Sequence, residues 1–368
     1  MQQKAFDELA RSLGAGTSRR AALGLAAALG VGGLALPAED ASARKHSSGK
    51  RKKKRFCLNG NQVKARHKKK RRRLRRQGAV RGKCAPCTPV CPGDGACGMD
   101  DGCGGTCGCA GGSVCVAGVC IACTVTCTSD AATCGADLQT ALTAGGTVFV
   151  CPGRYSTALG FTAATGTNVY GAGSGGDEAS NTILDAQNNA VTTLTVESNA
   201  RTVITGVRIT GGNAAGIGGL DANGAGAGLL IERCAIVENT GGVFGGMQMV
   251  GNVDLVNVTV SGNTGTTGTG GVYYRAYLAS EAGTITNSVI DGNSGVDFGG
   301  LVAFGPSGSS LAIDGATRIT NNTFSATSGE RAGGIGVPGI TSVAVTVDGT
   351  TISGNDTPQC LNVTGCSV

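Results

Sequence analysis

Five of the Gly-Gly pairs in the second half of this 368-residue chain each open a short alternating segment: GGLDA, GGMQM, GGVYY, GGLVA and GGIGV. Segments that close on Asn alternate with these pairs, at Asn239, Asn263, Asn293, Asn322 and Asn355. The Asn positions recur every 24 to 33 residues. A repeat of this period is typical of stacked architectures in which each unit buries its apolar face against its neighbours. The chain is therefore predicted to wind as a solenoid.

Apolar residues keep a fixed place relative to each Asn. The residue three positions earlier is always aliphatic: Ile236, Val260, Ile290, Ile319 and Ile352. Each Gly-Gly pair is followed by two apolar residues at a spacing of two: Leu220/Ala222, Met247/Met249, Val272/Tyr274, Leu301/Ala303 and Ile335/Val337. Alternation with period two belongs to strands rather than helices. We expect about three short strands per coil, and the shared register disfavours the alternative of a disordered glycine-rich tract.

The recurring Asn predicts a polar stack inside the coils. Side-chain amides that lie one strand spacing apart can hydrogen-bond along a stack, as amide ladders do. Asn and Gly also tolerate the left-handed backbone conformation that tight turns need. We therefore expect an Asn ladder, with Asn and Gly supplying the left-handed turn positions.

Residues 146–358 hold roughly eight coils of this kind. The segment before them, ADLQTALTAGG, carries Leu138 and Leu142 four residues apart, which predicts a short amphipathic helix over 136–144. Solenoid ends need a cover, so this helix is predicted to cap the N-terminal end. Residues 359–368 contain Cys360 and Cys366 and are predicted to form a disulfide-closed cap at the other end.

Two motifs carry a family resemblance. The segment TVFVCPGRY followed by VYGAGSG resembles the first coil of right-handed parallel β-helix proteins of the pectate-lyase-like superfamily, and the Asn/Gly-Gly repeat is similar to that of polymorphic outer-membrane proteins. The resemblance covers residues 135–358 and implies an all-β, right-handed parallel β-helix. It implies little about function, because this architecture serves lyases, hydrolases, adhesins and structural proteins alike.

The first 43 residues have the pattern of an export signal. Ser18, Arg19 and Arg20 precede an uncharged stretch from 21 to 38, and Ala41-Ser42-Ala43 offers a small-residue cleavage site. The combination resembles a twin-arginine signal. The alternative is an uncleaved membrane anchor, since 18 residues are long enough to span a bilayer. We expect a secreted, cell-envelope-associated protein.

Residues 44–83 form a polybasic arm with 20 Lys or Arg and no acidic residue. Such a block repels itself and is predicted to stay disordered until it meets a polyanion. Residues 84–368 contain 7 Arg, no Lys and 20 Asp or Glu, so the rest of the chain is acidic. The expected partner of the arm is an anionic cell-wall polymer or an acidic polysaccharide. Nucleic acid is the rival partner, and a solvated linker is the alternative without a partner.

Residues 84–134 form a cysteine-rich block with little apolar content. Such a segment needs disulfides or a metal to fold. Two Cys-x-x-Cys pairs, Cys84/Cys87 and Cys120/Cys123, have the spacing of a four-Cys zinc site. The other cysteines are dense and irregularly spaced, which favours a disulfide module without metal or other cofactor. We expect Cys234, which lies within a repeat, to be a buried free thiol.

The inventory of reactive groups argues against catalysis. After His67 the chain contains no His, and after Lys83 no Lys, so His-based nucleophilic triads are excluded from the solenoid. The aligned coils bring one pair of acidic residues into near-register, Asp314 and Asp348. A carboxylate pair at this separation could serve a hydrolase. Each belongs to an Asp-Gly dipeptide, however, and these are ordinary turn residues.

One outer surface is a candidate ligand site. The outward positions of the Gly-Gly strands include Asp221, Gln248, Tyr273, Arg275 and Phe304. Aromatic, amide, Arg and carboxylate groups together suit the binding of sugar rings. The alternative is that Tyr273 and Phe304 only shield the sheet. We therefore predict a monomeric, non-catalytic binding or structural module, with a carbohydrate-active enzyme, a lyase or hydrolase of an acidic polysaccharide, as the alternative.

Overall fold

The computed structural model describes residues 54–58, 61–65, 70, 72–73, 80–81, 97, 109, 112–198 and 201–366. The predicted export signal, most of the arm and most of the cysteine-rich block lie outside these residues. The chain divides into two units, Met1–Lys54 with Lys64–Arg71, and Arg55–Val63 with Arg72–Val368.

Short strands form within the described parts of the arm. Strands β1 (Lys54–Leu58), β2 (Asn61–Ala65) and β3 (Val80–Arg81) make a sheet in the order β2-β1-β3. The prediction of disorder is therefore wrong for these segments. The sequence between β1 and β2 is Asn59-Gly60, the strongest short hairpin signal, and the charge-based interpretation overlooked it.

A hairpin and a helix precede the solenoid. Strands β4 (Ser113–Val116) and β5 (Val119–Ala122) pair antiparallel. Helix α1 spans Ala131–Ala144 and begins five residues before the predicted start. Its first turn was missed because the amphipathic pattern starts later, whereas the N-cap is Asp130, whose carboxylate accepts from Ala132 N and Thr133 N at 3.1 Å. Leu138 and Leu142 are fully buried, and the helix packs on the first coil.

The solenoid contains the remaining strands of the described chain. In order they are β6 (Thr147–Val150), β7 (Gly153–Ser156), β8 (Phe161–Thr162), β9 (Asn168–Gly171), β10 (Thr182–Asn189), β11 (Leu194–Glu197), β12 (Thr202–Thr205), β13 (Val207–Ala214), β14 (Leu220–Glu232), β15 (Ala235–Val237), β16 (Thr240–Gly241), β17 (Met247–Val256), β18 (Thr259–Ser261), β19 (Thr264–Gly265), β20 (Val272–Arg275), β21 (Ala282–Thr286), β22 (Val289–Asp291), β23 (Ser294–Gly295), β24 (Leu301–Phe304), β25 (Ser310–Asp314), β26 (Arg318–Thr320), β27 (Thr323–Phe324), β28 (Ile335–Gly336), β29 (Ala344–Val347), β30 (Thr351–Ser353) and β31 (Cys360–Leu361).

These strands stack in parallel as about eight coils, which confirms the predicted parallel solenoid. Each coil supplies one strand to each of three faces, and the two-residue strands β16, β19, β23 and β27 form a further parallel ladder after face B. Face A begins with β6 and ends with β29, face B runs from β7 to β30, and face C runs from β8 to β31. The long strands β14 and β17 serve face C with their first residues and face A with their last. On all three faces the strands of neighbouring coils pair in parallel.

The predicted core positions face the shared axis. The aliphatic series three residues before each Asn is buried throughout, from Ile236 to Ile352. Both members of every predicted pair after Gly-Gly are buried as well, including Met247 with Met249 and Val272 with Tyr274. Burial lessens toward the end of the solenoid, where Val347 in the last coil is only partly covered.

Glycine is required at the Gly-Gly pairs because neighbouring coils approach closely there. A Cβ on Gly246 would stand 2.5 Å from Gly271 O and 3.0 Å from Asn263 Nδ2. None of the pairs from 218–219 to 333–334 has a positive φ. These glycines therefore do not serve as left-handed turn residues: they let the next coil and the Asn side chain come near the backbone.

The five Asn residues form the predicted ladder. Each Nδ2 donates to the Oδ1 of the next Asn, at 3.1 Å from Asn239 to Asn263 and 2.9 Å from Asn263 to Asn293. The series continues at 2.9 Å through Asn322 to Asn355. The left-handed residue is the one before each ladder Asn: Glu238, Gly262, Gly292, Asn321 and Gly354.

Five disulfides lie within the described residues, namely Cys97–Cys115, Cys109–Cys120, Cys123–Cys151, Cys127–Cys134 and Cys360–Cys366. Cys120 and Cys123, the second Cys-x-x-Cys pair of the alternative zinc site, each form a disulfide with another cysteine. Their sulfurs are therefore not available as zinc ligands. The predicted C-terminal bridge is present. Cys234 is free and buried as predicted, and burial raises the pKa of its thiol to about 12.

Candidate functional site

The five predicted ligand residues lie on the outer surface of face C, in two rows. Register places Asp221 beside Gln248, and Gln248 beside Tyr273, in the first row. Arg275 lies beside Phe304 in the second row. Neighbouring strands of a sheet lie about 4.8 Å apart, so both rows run along the solenoid axis with one residue per coil.

The aromatic end of face C is closed by its own side chains. The Tyr273 ring stacks on Phe244 with 3.9 Å between centroids and contacts Phe304 at 5.4 Å. Tyr273 is only 8% exposed, and Val302 in the next coil is 1% exposed. A sugar needs a free ring face, so this cluster matches the alternative in which the aromatics shield the sheet.

Sequence analysis missed the residues that cover this cluster. Phe244 and Phe298 each stand directly before a Gly-Gly pair, at a position that also pairs from coil to coil. Phe298 packs with Tyr273 and Val302. A Cβ on Gly336 would overlap the Phe298 ring, so that glycine makes room for the aromatic. An aromatic preceding Gly-Gly in alternate coils was the signal in the sequence.

The polar end of face C carries a second carboxylate beside Asp221. Glu197 lies in the second row, one coil earlier, paired with Asn223, which is two residues after Asp221. This offset puts the two Cα atoms about 8 Å apart. Burial raises the pKa of the Asp221 carboxyl, and the charge of Glu197 raises it further. Comparing the coils of this chain with one another did not reveal this pair, because the coil that contains Glu197 has no Gly-Gly pair.

Arg275 lies at the aromatic end of face C, in the same strand as Tyr273 and beside Phe304. Its side chain is exposed, and its guanidinium lies 4.6 Å from the centroid of the Tyr277 ring. This cation–π contact orients Arg275 toward the solvent-exposed corner. Two coils separate Arg275 from Asp221 in the strand order, so the structure does not bring the predicted Arg and carboxylate into contact.

Asp314 and Asp348 occupy equivalent places in adjacent coils, where face A turns into face B. Both are exposed. The Thr286 hydroxyl donates to Asp314 Oδ1 at 2.6 Å, and the glycines that follow the two aspartates have φ of 64° and 62°. This geometry matches the turn interpretation, because each Asp-Gly supplies the left-handed residue of a turn.

No protein family model, curated protein or solved structure matches the chain. Within the described residues, no helix combines the length and apolar character that a membrane crossing requires.

Proposed function

We propose that the protein is an exported β-solenoid associated with the cell envelope, a binding or structural module that its basic arm holds to an anionic polymer. The observation that carries this proposal is the segregation of charge along the chain. All 20 cationic residues between 44 and 83 are free of acidic neighbours in that segment, whereas residues 84–368 carry a net charge of about −13. A cationic segment on an acidic body attracts polyanions at one place only.

Disulfide bonds support the export part of the proposal. Five of them lie within the described residues, and such bonds persist in oxidising compartments outside the cytoplasm. The twin-arginine-like signal and the small-residue cleavage site agree with that setting.

The interior of the solenoid supports a structural role. A single apolar core runs through all eight coils, and the Asn ladder joins the last five of them. Coils that each contact only their neighbours form a quasi-one-dimensional body. Such a body suits a spacer or a display surface at the end of the arm.

Deleting residues 44–83 tests the anchor. We expect the intact protein to stay with the envelope fraction at low salt and to be released as salt rises, because polyelectrolyte contacts weaken with ionic strength. The deletion variant should appear in the medium at any salt concentration. Immunoblots of the two fractions measure the distribution.

A charge-neutral arm is the matched control. Replacing all 20 Lys and Arg residues of 44–83 by Gln keeps the length of the arm and should release most of the protein. Retention that is unchanged in both variants would contradict the proposal. Release from envelopes by nuclease instead of by polysaccharide-degrading enzymes would identify nucleic acid as the polyanion.

Glycoside hydrolysis is a second candidate function, favoured by the Glu197–Asp221 pair. Hydrolases use two carboxylates about 5–9.5 Å apart, one of which has a raised pKa and acts as the acid. Burial and the charge of Glu197 both raise the pKa of Asp221, as this acid role requires.

Reducing-sugar release from wall polysaccharides tests this candidate. If the pair is catalytic, Asp221→Asn should lower release by about 10² or more. Asp314→Asn, a turn residue, should leave release unchanged. Absence of any release by the wild-type protein would exclude hydrolysis of the polysaccharides tested.

A further inference from the structure

An open cleft of about 560 Å³ lies where the start of α1 meets the first two coils. Its lining includes Cys127, Ser129, Gly153, Arg154, Glu178 and Ala179. Small-molecule sites commonly occupy about 300–1,000 Å³. We name this feature the cap cleft.

The two cysteines of the Cys127–Cys134 disulfide differ in their accessibility from the cap cleft. Cys127 is partly exposed and lines the cleft, whereas Cys134 is 1% exposed and lies behind it. Thiol–disulfide exchange proceeds by attack of a thiolate on one sulfur and departure of the other. An incoming thiolate can therefore attack Cys127 Sγ, and the sulfur that leaves is that of Cys134.

The departing sulfur belongs to the first turn of α1. Cys134 is the fourth residue of α1, a 14-residue helix, and its backbone N–H makes a hydrogen bond at 3.0 Å to Asp130 O. The positive end of a helix lowers the pKa of a nearby thiol. The Ser129 hydroxyl lies 3.7 Å from Cys134 Sγ and can donate to the thiolate once it forms.

One acidic side chain, Glu178, lines the cleft, and two more, Asp185 and Asp130, lie next to lining residues. The Arg154 guanidinium contacts Asp185 at 2.6 Å and Glu178 at 3.3 Å, so its charge is already matched. Glu178 is 62% exposed at its side chain. Asp130 adds a further carboxylate at the start of α1, and the hydroxyl of Thr133 holds the pKa of that carboxyl below its usual value. The net charge around the cleft is therefore negative, which favours the binding of a cationic ligand.

We propose that Cys127–Cys134 is an exchange site for thiols that carry a positive charge, such as a cysteine in a basic peptide. The incoming thiolate forms a disulfide with Cys127 Sγ while the Cys127–Cys134 bond breaks, and Cys134 keeps the electron pair as a thiolate. No net oxidation or reduction takes place. The product is a covalent link between the partner and the outer edge of the solenoid cap.

The cap can survive this exchange. The Cys123–Cys151 bridge still ties the segment before α1 to the first coil. Leu138 and Leu142 are fully buried, and their packing holds the helix independently of the bridge. The Cys127–Cys134 bridge joins residues only seven positions apart in the sequence. Disulfides that close such short loops contribute the least to stability, so little is lost when this one opens.

The test uses the folded full-length protein and three small thiols: cysteamine, 2-mercaptoethanol and 2-mercaptoethanesulfonate. Adducts are trapped by acid and located by peptide mass spectrometry. We expect the first adduct at Cys127, with Cys123–Cys151 still intact. After division by the rates on the urea-unfolded chain, cysteamine should react roughly three- to tenfold faster than the sulfonate at low salt, and about equally at 1 M salt.

Two variants make the test specific. Glu178→Gln keeps the disulfide and should remove most of the preference for cysteamine. In Cys134→Ser, the released Cys127 should form a mixed disulfide with cystamine in the folded state, whereas the buried Cys134 of Cys127→Ser should not. A first adduct at another bridge, or adducts only after unfolding, would overturn the exchange site. Equal normalised rates for all three thiols would overturn the charge preference.

Discussion

Replacing Asn263 by Ala is expected to lower the free energy of unfolding of the solenoid by about 3 kcal/mol. The side chain accepts from the backbone N of Asn239 at 3.0 Å and from its Nδ2 at 3.1 Å. It donates to Ile236 O and to Asn293 Oδ1, each at 2.9 Å. All of these groups are buried, and each donor or acceptor left without a partner costs about 1–3 kcal/mol.

Asn257→Gly is the matched control for this change. Asn257 is exposed and has a φ of 56°, which Gly adopts freely, so the expected change is within about 0.5 kcal/mol. Urea unfolding followed by circular dichroism measures both variants. A loss below about 1 kcal/mol for Asn263→Ala would contradict the ladder, because it would mean that water replaces the lost partners.

Gly246→Ala is expected to destabilise the solenoid by about 3 kcal/mol through steric overlap. The new Cβ would meet Gly271 O at 2.5 Å and Val260 Cγ1 at 2.9 Å. The first contact is with backbone, so relief requires that neighbouring coils move apart. Overpacking of a well-packed interior typically costs about 1–3 kcal/mol, and the displaced ladder adds to it.

Gly292→Ala separates this steric effect from backbone strain. Gly292 has a φ of 62°, and no heavy atom lies within 4 Å of the place that a Cβ would take there. Ala at this position should cost only the roughly 1–2 kcal/mol of a left-handed residue. Equal losses for both variants in urea unfolding would show that coil-to-coil approach does not select the Gly-Gly pairs.

Much of the fold could be predicted from the sequence because the patterns that specify each coil are short-range and recur in every repeat. The buried series from Ile236 to Ile352 and the Asn ladder follow from spacing alone, since one repeat fixes the environment of the next. The reason for the Gly-Gly pairs was not readable from the repeat, and the cause is physical. Glycine is selected either by a positive φ or by the absence of a Cβ, and only neighbouring coils distinguish these two causes.

The candidate site was less readable. Outward positions on face C were correctly grouped, yet the burial of Tyr273 depends on Phe244, which reaches it from the preceding coil. The Glu197–Asp221 pair involves coils where the repeat is irregular, so no alignment placed the two carboxylates together. Side-chain contacts between coils of unequal length are not encoded in the repeat pattern.

Distances between spin labels on face B test the central claim most directly. Arg208, Arg318 and Thr351 lie in one outward row, with Arg318 four coils and Thr351 five coils beyond Arg208. At about 4.8 Å per coil, labels on Cys-substituted Arg208/Arg318 and Arg208/Thr351 should be about 19 Å and 24 Å apart. The buried Cys234 thiol should stay unlabelled in the folded protein. Electron–electron resonance distances that increase by about 5 Å from the first pair to the second would support the parallel winding, and equal or decreasing distances would contradict it.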